Sequence, residues 1–339
     1  MRKRMLGRAG LSASSVGINL STMDACTSQL HYGPGFETAL ETIRRVLEGP
    51  FNFIDANGEY WQGAEGERCI GRAISEAGGL PDGFVLTRSV GPALALDFSG
   101  DGIVRAVEES LQRLGLDLLP LVLLRKPEEF SFESATARSG ALATLVGLRD
   151  QGLINHLGIA GGPIDLQLKY LQTDAFDAVI SHVPYNLLDR AAEPLIQNAV
   201  SREVAFVNAA PFTGRLLLDG EERSTQGMNR ERGPARLERS DKMRLICAAY
   251  GIPLAAAALQ FSTLDPRVAS TIVGASTPSK ADFVTDLAQW RIPSGVWDDL
   301  LDLVEESELA ISCRDDVVPT TDPLPCRDQG VTFPTAVPH

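Results

Sequence analysis

Phe51 to Gly71 reads FNFIDANGEYWQGAEGERCIG. It begins with a short apolar run, Phe51 to Ile54, that ends on a carboxylate, Asp55. Asn57-Gly58 favours a turn, and Tyr60 follows shortly after. Helical spacing resumes from Glu65 to Ser75. The stretch predicts a strand, a polar loop and a helix. An acid at the C-terminal end of a strand, with a phenol on the following loop, is where a β/α barrel keeps its chemistry. Read alone, the stretch also fits a surface turn with an N-capping acid.

At 339 residues the chain suits one α/β barrel with a large core. A hydrophobic share of 44% and a mean hydropathy near zero describe a globular protein that needs no staples. The formal charge of −13 argues against nucleic acid and against anionic lipid as partners. The basic start, Met1 to Arg4, is not followed by a signal-peptide core, because Gly and Ser interrupt Leu6 to Ser15. No apolar run is long enough to predict a membrane span. Cys26, Cys69, Cys247, Cys313 and Cys326 are scattered without metal spacing, and the few histidines form no ligand-like cluster. Reduced thiols, a cytoplasmic location and no metal are therefore expected.

Working outward, strands are predicted at Val16–Leu20, Phe51–Ile54, Phe84–Leu86, Leu118–Leu124, His156–Ala160, Phe176–Ile180, Val204–Val207 and Ser270–Val273. Leu118–Leu124 is a continuous apolar run, which suits a strand buried on both faces. Helical stripes intervene, such as Leu40, Ile43, Val46 and Leu47, or Ile103, Val104, Val107, Leu111 and Leu114. Ser240 is expected to cap a helix over Asp241–Tyr250 that Gly251 closes, and Pro278 to open the last barrel helix. An extra amphipathic helix is expected at Trp297–Leu309, before a Pro-rich tail from Ser312 to His339. Strands and helices alternate about eight times, and parallel strands need such crossovers. The expected fold is a single (β/α)8 TIM barrel over residues 1–311. A doubly wound sheet is the alternative, but no GxGxxG follows the first strand.

These stretches resemble the aldo-keto reductase superfamily, with the nearest likeness to bacterial sugar 1-dehydrogenases of the D-threo-aldose or L-fucose type. The likeness is carried by LGRAGLSASSVG, FIDANGEYWQGAEGERCIGRAI, LQRLGLDLLPLVLLRKPEE, HLGIAGGPIDL, VPYNLLDRA, VNAAPFTG and PLAAAALQFSTLDPRVASTIVGASTP. It implies NADP(H), or alternatively NAD(H), bound at the C-terminal face, with a tyrosine as general acid helped by Asp, Lys and His. Asp55 and Tyr60 match two members of that tetrad. The lysine falls on Ser89 and the histidine on Arg125. Trp61 replaces a small residue after the tyrosine; it either fills space or packs on substrate.

A free phenol has a pKa of about 10, so a proton-donating tyrosine needs a nearby positive charge. Ser89 cannot supply one. Strand alternation points Arg88 to the other face unless a bulge re-aims it. Arg125 either restores the charge beside Asp55, clamps a substrate carboxylate, or merely neutralises Asp55 in a site that no longer catalyses.

The resemblance implies that Tyr185 stacks on nicotinamide and that His182 stands where the family has Gln. Asn208, Pro211, Phe212 and Gly214 belong to the pyrophosphate loop. Gly274, Ser276, Thr277 and Lys280 match the 2′-phosphate end. Phe283 replaces an adenine-side acid; it either stacks on adenine or is a core residue. His31 lies in a loop after the first strand, at the surface or on the pocket rim. The Arg-rich stretch Asp219–Arg239 either closes over the cofactor or is a solvated loop. The expected function is an NADP(H)-dependent oxidoreductase acting on a small polar carbonyl or sugar hemiacetal. The alternatives are a lyase or isomerase, or a non-catalytic binding protein.

Overall fold

A hairpin, Lys3–Met5 (β1) and Ser12–Ser14 (β2), precedes the barrel strands. These are Val16–Asn19 (β3), Phe53–Asp55 (β4), Val85–Val90 (β5), Leu119–Arg125 (β6), Ile154–Ala160 (β7), Ala178–Ser181 (β8), Ala205–Asn208 (β9) and Val268–Gly274 (β10). The computed structural model describes residues 1–20, 34–56, 64–91, 99–213, 215–218 and 233–315. The barrel strands pair in parallel in the order β10-β3-β4-β5-β6-β7-β8-β9 and close on themselves. Around them run Pro34–Leu47 (α1), Ala64–Glu76 (α2), Gly100–Leu114 (α3), Phe132–Thr136 (α4), Ala141–Asp150 (α5), Ile164–Leu171 (α6), Glu193–Ser201 (α7), Gly233–Ala249 (α8), Leu254–Leu264 (α9), Pro278–Gln289 (α10) and Ser294–Asp315 (α11). The expected (β/α)8 barrel is the observed fold.

Strand alternation divides the buried side chains into two cores. Phe53, Val85, Leu121, Leu123, Ile180, Val207 and Ile272 fill the barrel interior. Ile18, Ile54, Leu86, Val122 and Leu124 pack outward against the helices. The Leu119–Leu124 run is apolar throughout because both of its faces are covered. Gly17 shows how tightly the interior is filled. A Cβ there would lie 3.0 Å from the Phe53 ring and 3.0 Å from Ile272.

The hairpin closes one end of the barrel. Leu6 and Ala13 join the inner core. Beside them, Arg8 N donates to Glu203 O at 2.8 Å and Arg8 Nε to Asp177 Oδ1 at 3.4 Å. Asp177 and Glu203 stand just before β8 and β9, so this is the N-terminal end of the strands. The opposite end carries the C-terminal ends of the strands.

Helix ends follow local signals. Ser99 caps α3 by accepting from Gly102 N, and Gly115, at φ 67°, terminates it in the left-handed region. Thr277 caps α10, with Pro278 in its first turn. Ser240 departs from expectation. It lies inside α8, where its hydroxyl donates to Leu216 O at 2.6 Å. Tertiary contact, not capping, explains that serine. The last helix runs Ser294–Asp315, longer than expected at both ends, so the predicted start of the tail falls inside it. Among the described residues no single helix is long and apolar enough to cross a membrane.

Candidate active site

The C-terminal ends of the strands carry several polar side chains. Asn19, Asp55, Arg125, Ala160, Asn208 and Gly274 are the last residues of their strands, Ser89 is the last but one of β5, and His182 follows β8. Asp55 is the centre of this rim. It is 3% exposed. Thr87 Oγ1 donates to its Oδ1 at 2.6 Å, and Asn19 Nδ2 to its Oδ2 at 2.5 Å. The register explains the clasp, since Asn19, Asp55 and Thr87 are direct neighbours on three adjacent strands. Burial raises the Asp55 pKa above the ordinary carboxylate value. The two hydrogen bonds, and the charges of His182 and Arg125, oppose that rise without cancelling it.

Ser89 lies two residues beyond Thr87 on the same face of β5, completely buried. Its hydroxyl has no hydrogen-bond partner among the described residues. Arg88 faces the other way. Its Nε donates to Ser110 Oγ at 2.8 Å and it pairs with Glu67 of α2, outside the barrel. The β5–β6 register from Thr87 to Val90 is continuous, so no bulge re-aims it. Arg125 shares the inward parity of Leu121 and Leu123, and its charge reaches Asp55 from β6. Ser89 thus stands on the strand between those of Asp55 and Arg125.

Other expected residues are distributed unevenly. His182 is exposed at the rim. Asn208 is spent on its own turn: Nδ2 donates to Tyr185 O at 2.8 Å and Oδ1 accepts from Ala210 N at 3.0 Å. Pro211 and Phe212 continue the strand-end turn. Gly274 leads into Ser276, Thr277 and Lys280 at the α10 N-terminus, where Lys280 Nζ lies 3.3 Å from Ser276 Oγ. Phe283 is 52% exposed on the same helix, which excludes the core reading.

Tyr185 is not brought to this group. Its ring is buried against Phe261, and its hydroxyl donates to Asp265 Oδ2 at 2.5 Å while accepting from Arg267 at 3.1 Å. Asp265 precedes β10, at the opposite end of the strands from Gly274. Burial and the Asp265 carboxylate push the phenol up to about 12. A ring so held is not presented at the C-terminal face, contrary to the nicotinamide-stacking expectation. Tyr60, Trp61, Gly214, His31 and residues 219–232 lie outside the described residues. Of the Arg-rich stretch, Arg236 pairs with Asp189.

A concavity of about 430 Å³ lies beside Tyr185, lined also by Arg190, Phe261, Asp265, Arg267, Trp297 and Leu301. Its Tyr185, Asp265 and Arg267 bond one another, and Arg267 also pairs with Glu193. It resembles a structural joint more than a reaction site. No group of three or more potential metal ligands occurs among the described residues.

Asn19 and Thr87 escaped the sequence reading. Their signal was faint: a polar residue at an inward position, at the end of β3 for Asn19 and midway along β5 for Thr87.

The Aldo/keto reductase family profile matches residues 28–305. The chain belongs to the aldo/keto reductase family. It is 29% identical over 206 residues to D-threo-aldose 1-dehydrogenase of Pseudomonas sp, a match covering 60% of this chain and 62% of that protein. It is 27% identical over 288 residues to L-galactose dehydrogenase of Arabidopsis thaliana, covering 82% and 85%. Among solved structures, aldo-keto reductase AKR11C1 from Bacillus halodurans superposes with a TM-score of 0.72 at 20% identity, covering 89% of this chain and 96% of that one. Glycerol dehydrogenase AKR11B4 from Gluconobacter oxydans superposes with a TM-score of 0.71 at 17% identity, covering 95% and 99%. These two likenesses speak to the fold alone. Family membership makes the chain a relative of oxidoreductases, two of them sugar dehydrogenases by name.

Proposed function

We propose that this protein is an NADP(H)-dependent oxidoreductase acting on a small polar carbonyl or a sugar hemiacetal. The observation that carries the proposal is the buried acid Asp55 at the open end of the barrel, held by Asn19 and Thr87 and faced by Arg125 and His182. The names of the curated relatives, two of them sugar dehydrogenases, support the substrate class.

The residues present fit a phosphorylated dinucleotide. A helix N-terminus, the hydroxyls of Ser276 and Thr277 and the Lys280 ammonium form a donor set for a phosphate. This favours NADP(H). Phe283, one turn along α10 from Lys280, offers an exposed ring for adenine. His182, Pro211 and Phe212 follow the ends of β8 and β9, along the path toward the barrel mouth. Bound nicotinamide supplies hydride-transfer chemistry. Tyr60 gives the proton to the carbonyl oxygen in reduction and recovers it in oxidation. Arg125 contributes a fixed positive charge from β6, which Ser89 cannot provide from β5. A substrate carrying an acid group gains a second partner in the same guanidinium.

Calorimetric titration with NADPH, and with NADH beside it, tests the reading. Micromolar binding with NADPH preferred is the expected result. No binding of either nucleotide at millimolar concentration would overturn it.

A further inference from the structure

The concavity beside Tyr185 combines polar groups that bond one another with apolar groups that face solvent. Tyr185 donates to Asp265 and accepts from Arg267, and Arg267 also pairs with Glu193. The remaining lining is mostly apolar. Phe261, Trp297 and Leu301 are half-buried, and Leu264 is 51% exposed. Arg190 lies over the Phe261 ring, 5.4 Å from its centroid. Helix α11 carries two apolar stripes. Val296, Leu300 and Val304 belong to the core. Trp297 and Leu301 lie one residue further on, about 100° round the helix, and line the concavity.

We propose that this concavity is the docking site of a segment of the same chain, residues 331–334, with Phe333 as its anchor against Phe261 and Trp297. Residues 316–339 continue directly from α11, the helix that forms one wall. From Leu301 that helix runs on for about 21 Å to Asp315. The link from Asp316 to Thr332 spans up to about 56 Å when extended, more than the return requires. Chain connection gives the segment an effective concentration of the order of millimolar, which a separate partner must exceed.

The chemistry of the two sides agrees. Residues 329–338 read QGVTFPTAVP and carry no charge. Phe333-Pro334 joins an apolar ring to a residue that favours extended backbone, and an aromatic-lined groove accepts such a segment at low entropic cost. The polar lining groups have their bonds within the site, so burial of apolar surface drives the docking. The volume of about 430 Å³ lies within the range of pockets that hold a ligand. A second copy is a poorer occupant. Asp298, Asp299 and Asp302 stand exposed beside Trp297 and Leu301, and two copies meeting by this face would bring those acids together.

The test uses the full-length protein with Phe333 replaced by the photo-cross-linker p-benzoylphenylalanine. Irradiation should give a cross-link within one chain, mapped by peptide mass to Phe261, Leu264, Trp297 or Leu301. Leu264→Glu should lower its yield several-fold. Leu264 is exposed, so that variant keeps its fold, which unchanged circular dichroism checks. Leu245→Glu, exposed on α8 and outside the concavity, should leave the yield unchanged. Without the cross-linker, Phe333→Ser should lower the thermal midpoint of the full chain. In the Leu264→Glu background the same change should have much less effect, because the two residues act through one contact. Cross-links that join two chains would assign the concavity to a second copy and overturn the proposal. Cross-links elsewhere on the barrel, a yield indifferent to Leu264→Glu, or a midpoint that Phe333→Ser does not move would overturn it as well.

Discussion

Replacing Glu67 by Gln should unfold the outer wall of the site more readily than any exposed substitution. Glu67 is 9% exposed and sits between two guanidiniums. Arg113 Nε reaches its Oε2 at 2.5 Å, Ser110 Oγ donates to its Oε1 at 2.8 Å, and Arg88 pairs with it directly. Burial lowers the Arg88 pKa, and Glu67 is the charge that offsets this. Removing one member of a buried pair costs about 3–5 kcal/mol, because the remaining charge stays buried without compensation. Two features reduce that figure here. Arg113 is also bonded to Glu109 at 3.0 Å with part of its side chain in solvent, and Gln retains an acceptor oxygen. The expected loss is therefore about 2–4 kcal/mol. Urea unfolding at pH 7, followed by fluorescence and circular dichroism together, measures it as a lower midpoint with an unchanged slope. Combining Glu67→Leu with Arg88→Met should recover most of the loss, since an apolar replacement leaves no lone charge on the barrel side. A loss below about 1 kcal/mol for Glu67→Gln would refute the reasoning. NADPH affinity should be unaffected in the folded variant, because this cluster lies outside the barrel.

Further outcomes are expected at the other sites. Tyr185→Phe should cost about 1 kcal/mol of stability through its lost hydrogen bond to Asp265 and leave NADPH affinity unchanged; a large loss of affinity in calorimetry would return Tyr185 to the cofactor. Lys280→Ala should weaken NADPH several-fold, of the order of 1 kcal/mol, and leave NADH alone; equal weakening of both would remove Lys280 from the 2′-phosphate. Arg125→Ala should cost roughly tenfold or more in kcat/KM on an acid-bearing aldehyde, and full activity would sink the clamp. The Asp265–Arg267–Glu193 joint should weaken in acid. Burial pulls Asp265 upward, but hydrogen bonds from Arg267 and Tyr185 outweigh it and hold the acid below its ordinary value. The Arg267 hydrogen bond likewise depresses Glu193. Groups depressed on folding contribute stability above their unfolded pKa of about 4 and lose it as pH falls through the folded value. The stability gap between the unsubstituted protein and Arg267→Leu, read by urea midpoints, should therefore be wider at pH 7 than at pH 3.

Much of the scaffold was legible locally. Periodicity told strands from helices, the Leu118–Leu124 run marked a doubly covered strand, and the acid ending FNFID marked the C-terminal end of one. The alternation of β5 sufficed to separate Arg88 from Ser89, because neighbouring side chains on a strand must face opposite ways. Such rules hold within one element and need no knowledge of its neighbours. Ser240, Tyr185 and Phe283 were not legible in that way. The first is held by Leu216, the second by Asp265, and the third stands in solvent; these are contacts, or their lack, between segments remote in the chain. The clasp on Asp55 belongs with them. Asn19 and Thr87 lie 36 and 32 residues from the acid, and only the register of a closed barrel sets them side by side. The order of residues along the chain thus determined the elements, the barrel and the acid at its mouth. Which neutral donors hold that acid, and which charges reach it, was decided by strand closure, because hydrogen-bond register between strands is a property of the assembled sheet and of no single strand.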